Sequence, residues 1–465
     1  MPCSSISKSI WQAGIDAVKL DRLLQNVVRC NANELQIAEA TVNLATIGHV
    51  EILGCGKAGR GMAVGLVRAL ANLPTEISVS GFINVPADCA EPLAVDFSSS
   101  KSFNNRCSEM ANAITLHAAR PAGVNEPTEE AILGTAEILQ RLKTQGDDCL
   151  TIFLVSGGGS ALLEAPRSGI SLEDLLAVTR NLARSGATIE ELNTVRTQLS
   201  EVKGGGLLRQ AEQGQLVSLI VSDIISDPLP FIASGPCVPA QTTAQDAVAV
   251  LRKYTTVSDV IPESVHRILK DEPVHQDIAI RYSNHLIGTN AVACKASAAK
   301  ARELGFEVIL LGSENCGEAA DFGRSLAKRL RELRQQGSPQ GGRGYCVIAG
   351  GETTVSMSPN MELGKGGRNQ EVALAALHAY PKAEDWQQIC LLSGGTDGED
   401  GPTDAAGAFV DETIALSATT QNIDLHQHLK RHDSYPLFLA INGLLQTGPT
   451  HTNVMDLIVG IVCFD

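Results

Sequence analysis

The 465-residue sequence has no apolar run that approaches the about 18 residues a membrane span needs. Even LIVGIVCF, at 457–464, is short and bounded by Asp456 and Asp465, so no membrane partner is expected. Positive charge is scarce: 37 Lys and Arg stand against 52 Asp and Glu, a formal net charge of −15 that argues against nucleic acid as a partner. Aromatics are only 4% beside 43 glycines, a balance that favours α/β architecture with many glycine-bearing loops over an aromatic-rich sandwich. The 12 cysteines form no C-x-x-C pair and no Cys/His cluster at zinc spacing, so neither a disulfide framework nor structural zinc is expected. Several, such as Cys149 before TIFLV and Cys346 before VIA, lie in apolar runs where a reduced thiol behaves as a small hydrophobe. Also missing are the P-loop pattern G-x-x-x-x-G-K-[ST], the nucleophile elbow G-x-S-x-G and EF-hand spacing. These absences exclude a Walker-type ATPase, a serine hydrolase of the elbow type and an EF-hand protein.

What is present is a chain with 44% apolar residues, enough to bury a large core, and a recurring alternation of strand-like runs, glycine-rich loops and helical periodicity. The alternation predicts an α/β fold with doubly wound sheets, in two domains: one over 1–240 and a second α/β unit over 241–465. Gly235 to Asp246, GPCVPAQTTAQD, reads as the linker between them. The first residues, MPCSSISKSIWQAGIDAVKL, lack a secretory apolar core. Their serines, Lys8 and the lack of acid before Asp16 leave a transit peptide open, so the cytoplasm is expected first and the mitochondrion second. The sequence leaves homo-oligomerisation open.

The chemistry-bearing segments lie at predicted strand ends. GCGKAG, Gly54 to Gly59, follows the strand-like HVEIL and precedes a helix carrying Met62, Leu66, Ala69 and Leu70 on one face. By itself the pattern is equally a dinucleotide-binding turn or a tight structural turn. Lys57 inside it is more informative, since a point cation among free backbone N–H groups suits phosphate or carboxylate. In SGGGS, Ser156, Gly157, Gly158, Gly159 and Ser160 follow the buried-strand run CLTIFLV, and three glycines permit close backbone approach to an anion. LNTVRTQLSEVKGGG spaces Asn193, Arg196, Ser200 and Lys203 along one face of a predicted helix that ends in glycines, a polar stripe suited to a ligand. Arg368 and Asn369 stand at the N-terminus of the helix after GKGG, and Glu352 and Asp223 are strand-end carboxylates. SGGTDGEDGPTDAAG gathers Asp397, Glu399, Asp400 and Asp404 between glycines, where one or two carboxylates would suit Mg2+; Glu399 and Asp400 also read as solvated turn residues.

GCGKAGRGMA, LVSGGGSALLEAP, SGATIEELNTVRTQLSEVKGGGL, SLIVSDIISDPLPFIASGP, GGETTVSM, GKGGRNQE, LSGGTDGEDGPTDAAGA and TGPTHTNVMDL occur in that order from about Asp16 to the C-terminus. Together they resemble the glycerate kinases that carry a C-terminal MOFRL domain, here about 345–460. The resemblance implies ATP-dependent phosphorylation of D-glycerate, with 2-phosphoglycerate expected over 3-phosphoglycerate, a Rossmann-like N-terminal domain with a smaller C-terminal α/β domain, and an active site in the cleft between the domains. It places the family's cleft lysine on Lys57 and its GGRNQE arginine on Arg368. On this basis Lys57 and Arg368 steady the substrate carboxylate or the moving phosphoryl group, Asp223 is the candidate base, and Asp397 and Asp404 hold or orient Mg2+. The SGGGS loop, Asn193, Arg196, Lys203, Glu352 and Asn369 are expected to bind substrate or phosphate. One loop departs from the family: glycine is implied where His451 stands. A nicotinamide-dependent dehydrogenase and a non-catalytic ligand sensor are the alternatives, the first testable by NAD(H) binding and the second by the absence of nucleotide binding.

Overall fold

A computed structural model of the chain describes residues 2–93, 101–254, 261–270, 277–357 and 364–464. The chain forms two compact units: one combines Leu23–Ser222 with Asp227–Ile287, and the other combines Met1–Arg22, Asp223–Ser226 and Gly288–Asp465.

The larger unit is built on a six-stranded sheet in the order Ile114–Arg120, Ser78–Pro86, His49–Cys55, Cys149–Val155, Gln215–Val221, Arg281–Gly288. The first four of these neighbour pairs are parallel. Every residue of Cys149–Val155 is buried, as a central parallel strand covered on both faces requires. From His49–Cys55 the chain winds outward through two strands, then crosses back to Cys149–Val155, so the strand order reverses between these two. A doubly wound sheet binds ligands at the carboxyl ends of the strands flanking such a reversal. GCGKAG and SGGGS are the two loops that emerge there.

The division of the chain differs from a cut at residue 240. GPCVPAQTTAQD lies inside the larger unit, because the helices that follow it, Ala244–Tyr254 and Glu263–Lys270, bury Ala247, Leu251, Val265 and Ile268 in a cluster with Leu175, Val178, Val195 and Leu199. The strand Arg281–Gly288 then completes the sheet. The N-terminal stretch left open as a transit peptide is a packed helix, Cys3–Val18, of the other unit. Its Trp11 is buried and donates from Nε1 to the Leu457 carbonyl at 3.1 Å, and Gly14 admits Ser297, whose Oγ would stand 2.4 Å from a Cβ there.

This smaller unit carries a mixed sheet ordered Phe306–Leu310, Gly344–Gly351, Asp456–Cys463, Ile389–Gly395, Gly407–Asp411, Leu444–Leu445. The apolar C-terminal run is therefore a central strand, fully buried and antiparallel to both neighbours. Its first residue, Asp456, is the register partner of Gly351 on one side and Gly395 on the other. Two strand ends distant in sequence are thus brought to one carboxylate, and their next residues lead to Glu352 and Asp397. All 12 cysteines are free thiols.

Candidate active site

In the larger unit the two glycine loops are knitted together. Ser156 N–H donates to the Cys55 carbonyl, Lys57 N–H to the Gly157 carbonyl at 2.9 Å, and Ala58 N–H to Ser156 Oγ at 3.0 Å. Gly56 is indispensable to the join: its φ is +137° and a Cβ there would lie 2.1 Å from Ser156 Oγ. The pairing leaves Lys57 exposed, with no side-chain partner among the described residues, beside the exposed, left-handed Gly158.

Behind the loops runs a chain of polar contacts. Arg196 Nη2 donates to Ser160 Oγ at 2.7 Å, Ser160 Oγ meets Ser234 Oγ at 2.6 Å, and Ser234 Oγ donates to the buried Asn193 Oδ1 at 3.0 Å. Ser234 and its neighbour Ala233 both have left-handed backbones, φ 61° and 52°, a strained pair that persists only where its surroundings hold it. The glycine run after Lys203 does part of that holding: Gly204 N–H donates to the Ser234 carbonyl and Gly205 N–H to that of Gly235. Those glycines thus pack against a loop instead of opening toward a ligand.

Four expected anion-binding side chains are interior, Asn369 of the smaller unit at 1% exposure and three in the larger unit. Ser156, Asn193 and Lys203 are 1%, 4% and 1% exposed. The helix ends at Leu199, and Ser200 turns to extended backbone, so the stripe does not continue to Lys203. Lys203 instead donates to the carbonyls of Ser160 and Leu163, at 2.9 and 3.0 Å, and pairs with the buried Glu164 at 2.9 Å. Its three donors are spent, and burial lowers its pKa against the opposing charge of Glu164. Arg196 is half-buried; burial lowers its pKa too, and Glu164 partly restores it.

The smaller unit gathers a second set around Asp456, a residue without weight in the sequence reading. Arg368, first residue of the helix Arg368–Ala379, grips Asp456 with two bonds, Nε to Oδ2 at 2.7 Å and Nη2 to Oδ1 at 2.9 Å, while Nη1 lies 3.0 Å from Glu352 Oε1. Burial works against the guanidinium, but the Asp456 bond outweighs it and raises the pKa. Asn369 Nδ2 donates to Asp456 at 2.8 Å and its Oδ1 accepts from Ser393. Burial raises the pKa of Glu352; Arg368 opposes, and Asp456, Asp223 and Asp397 raise it further. Burial likewise raises Asp397, which the Glu399 N–H lowers and Asp456 raises. Asp223, in a short segment assigned to this unit, is thus close enough to join the acidic set.

The acidic loop divides differently from expectation. Asp400, read as an alternative solvated turn residue, is 3% exposed and caps the helix: Asn369 N–H and Gln370 N–H donate to its two oxygens at 3.0 and 2.8 Å. Gly367 makes room for it, since a Cβ there would fall 2.3 Å from the Asp400 carboxyl carbon. Asp404, expected beside Asp397 on Mg2+, is exposed and taken by Tyr435, whose hydroxyl donates at 2.7 Å and lowers its pKa. Asp397 and Asp404 answer to different neighbours. Among the described residues no three His, Cys, Asp or Glu side chains are grouped as metal ligands.

Burial pushes the Asp400 carboxyl up to about 7, with the two helix N–H donors opposing and Asp456 adding to the rise. The folded state then holds a proton that the unfolded carboxyl releases near 4, so this contribution to stability is present in acid and is lost as pH rises from about 4 to about 7. Urea titrations across that window should show wild type losing up to about 1.4 kcal/mol per pH unit from this group. Asp400→Asn should flatten the slope; an unchanged slope would assign the proton elsewhere.

His451, where the family implies glycine, has a left-handed backbone with φ 59°. Glycine adopts that backbone at less cost than a residue with a Cβ does. His451→Gly should therefore raise stability by about 0.5–1 kcal/mol, net of the added freedom of the unfolded chain, read as a later denaturation midpoint.

Residues 6–270 match the family model "Domain of unknown function (DUF4147)", and residues 345–456 match the MOFRL family. A D-glycerate 2-kinase of Thermotoga maritima is 40% identical over 343 residues, covering 73% of this chain and 79% of the relative. The human glycerate kinase is 31% identical over 98% of this chain and 92% of its own. The crystal structure of a Thermotoga maritima glycerate kinase superposes with a TM-score of 0.80 at 33% identity, covering 98% of this chain and 99% of that one. With motifs, fold and relatives in accord along nearly its whole length, the chain belongs to the family of glycerate kinases that joins a DUF4147 domain to a MOFRL domain.

Proposed function

We propose that the chain phosphorylates D-glycerate on its 2-hydroxyl with ATP, yielding 2-phosphoglycerate and ADP. The observation that carries this reading is Lys57, an exposed ammonium without a partner among the described residues, set at the reversal of a doubly wound sheet beside a glycine loop. The curated relatives from Thermotoga maritima and Pyrococcus horikoshii, both named as 2-kinases, support the position of attack.

Phosphoryl transfer asks for positioning and charge neutralisation more than covalent chemistry. Lys57 and the Gly157–Gly159 backbone hold a substrate oxyanion, with Ser160 and Arg196 setting the loop behind them. Arg368 has spent Nε, one N–H of Nη2 and one of Nη1 on Asp456 and Glu352, so its distal edge keeps two donors for a phosphoryl oxygen. Asp223 accepts the proton as the 2-hydroxyl oxygen bonds to the γ-phosphorus and the bond to ADP breaks. Asp397 is the residue we assign to hold a hard dication, which takes one or two protein carboxylates and fills its shell with water and phosphate oxygens; Asp404, committed to Tyr435, is left out. Mg2+ bound there would neutralise charge on phosphate oxygens.

Incubation with D-glycerate, ATP and Mg2+ should release ADP in proportion to glycerate, and phosphorus NMR should show the 2-phosphate resonance. ADP release independent of glycerate would defeat the reading, and saturable NAD(H) binding in its place would point to a dehydrogenase.

A further inference from the structure

Arg120 ends the strand Ile114–Arg120 in the larger unit, a part of the chain in which no motif stood out. It is 2% exposed. Nη1 donates to Asn125 Oδ1 at 3.2 Å; among the described residues Nε, which is closed to solvent, has no hydrogen-bond partner, and no carboxylate forms an ion pair with the guanidinium. A buried guanidinium without a carboxylate is costly and rare unless something else satisfies it. Its position suggests what does. A Cβ placed on Gly158 would stand 3.1 Å from Arg120 Nη2 and 3.2 and 3.3 Å from Cγ and Cε of Lys57, so the two cationic side chains flank the same glycine. An anion seated on the exposed glycine would lie within reach of both side chains. Burial depresses the Arg120 pKa, and only the field of Asp88 opposes it.

We propose that Arg120 is a second oxyanion ligand of this site and binds the carboxylate of the 2-hydroxy acid substrate. The assignment rests on the glycerate kinase reading above. With Nη1 held by Asn125 and Nε closed to solvent, Nη2, which lies beside the exposed Gly158, is the donor left for a carboxylate oxygen. Arg120 thereby selects an acid over a neutral polyol, and Lys57 is released for the hydroxyl and the moving phosphoryl group.

The test is steady-state kinetics of Arg120→Gln, Arg120→Lys and Asn125→Ala against D-glycerate, its neutral amide and ATP. For Arg120→Gln the KM for D-glycerate should rise about thirtyfold or more, as the loss of a charge-assisted pair implies, with the KM for ATP within about twofold. Turnover of the amide should fall much less than that of the acid, so the preference for the acid narrows; lysine should restore part of it. A rise confined to ATP would make Arg120 a phosphate contact and overturn the carboxylate assignment; no change in either KM would overturn it outright. Asn125 is exposed, so Asn125→Ala decides the matter if Arg120→Gln fails to fold: its KM for D-glycerate should rise about threefold to tenfold. If wild type shows no glycerate-dependent ADP release, the reading of function fails separately. Calorimetric titration of wild type and Asn125→Ala with D-glycerate and inorganic phosphate then decides Arg120: weaker binding of glycerate in the variant sustains the proposal, and equal affinities overturn it.

Discussion

Lys57→Met should lower kcat about a thousandfold or more while the denaturation midpoint stays within about 0.5 kcal/mol of wild type. The two halves of this expectation come from separate observations. The side chain is exposed and makes no hydrogen bond or ion pair with a described residue, so truncating its charge removes nothing the fold uses. The backbone does the structural work here, through Lys57 N–H to Gly157 and Ala58 N–H to Ser156, and methionine keeps both bonds. The ammonium is left with a catalytic use, and a cation preorganised beside a glycine loop acts where charge develops in the transition state. Lys57→Arg should recover little, because a planar fork does not reproduce a compact point charge. Stopped assays with product identification, paired with urea titration, check both halves; near-normal turnover would remove Lys57 from the mechanism.

The parts of the site legible in the sequence are those whose signal is local. A β-rich run, a glycine turn and a helical stripe lie within thirty or so residues of one another around Lys57, and HVEIL, CLTIFLV and the helix from Arg368 are where periodicity puts them. Asp456, Arg120 and Glu164 carry no such signal. Asp456 matters because antiparallel register sets it opposite Gly351 and Gly395, residues more than sixty positions away. Arg120 matters because the sheet carries its strand end near Gly158, and nothing in ITLHAAR announces that. The acidic loop shows the same limit from the other side. Its composition suggested metal ligands, yet burial makes Asp400 a helix cap and exposure hands Asp404 to Tyr435. The proline-rich stretch after Gly235 looked like a linker because composition does not reveal that Gly204 and Gly205 fix the loop ending in Gly235, while the helices beyond bury a shared core.

Lys203 separates a ligand-binding residue from one that builds the site. Lys203→Met should destabilise the protein by about 3–5 kcal/mol, because it strands Glu164 as an uncompensated buried charge, 0% exposed. It also leaves the carbonyls of Ser160 and Leu163 without their donor, adding to the loss. Glu164→Gln should cost a comparable amount from the opposite direction, since it strands the ammonium without its counter-charge. The double variant Lys203→Met, Glu164→Gln should be more stable than the sum of the two single losses implies, since a neutral amide and an apolar chain leave no isolated charge. Activity discriminates the two roles. If Lys203 held substrate, KM for D-glycerate would rise in every variant lacking it, including the stable double one. With its three donors committed inside the unit, the expected result is a KM within about threefold of wild type for the folded double variant, and a lower kcat only to the extent that Ser160 loses its position. Denaturant titration of the three variants, read beside their KM values, therefore decides whether this lysine belongs to the ligand or to the scaffold that shapes the loop beside it.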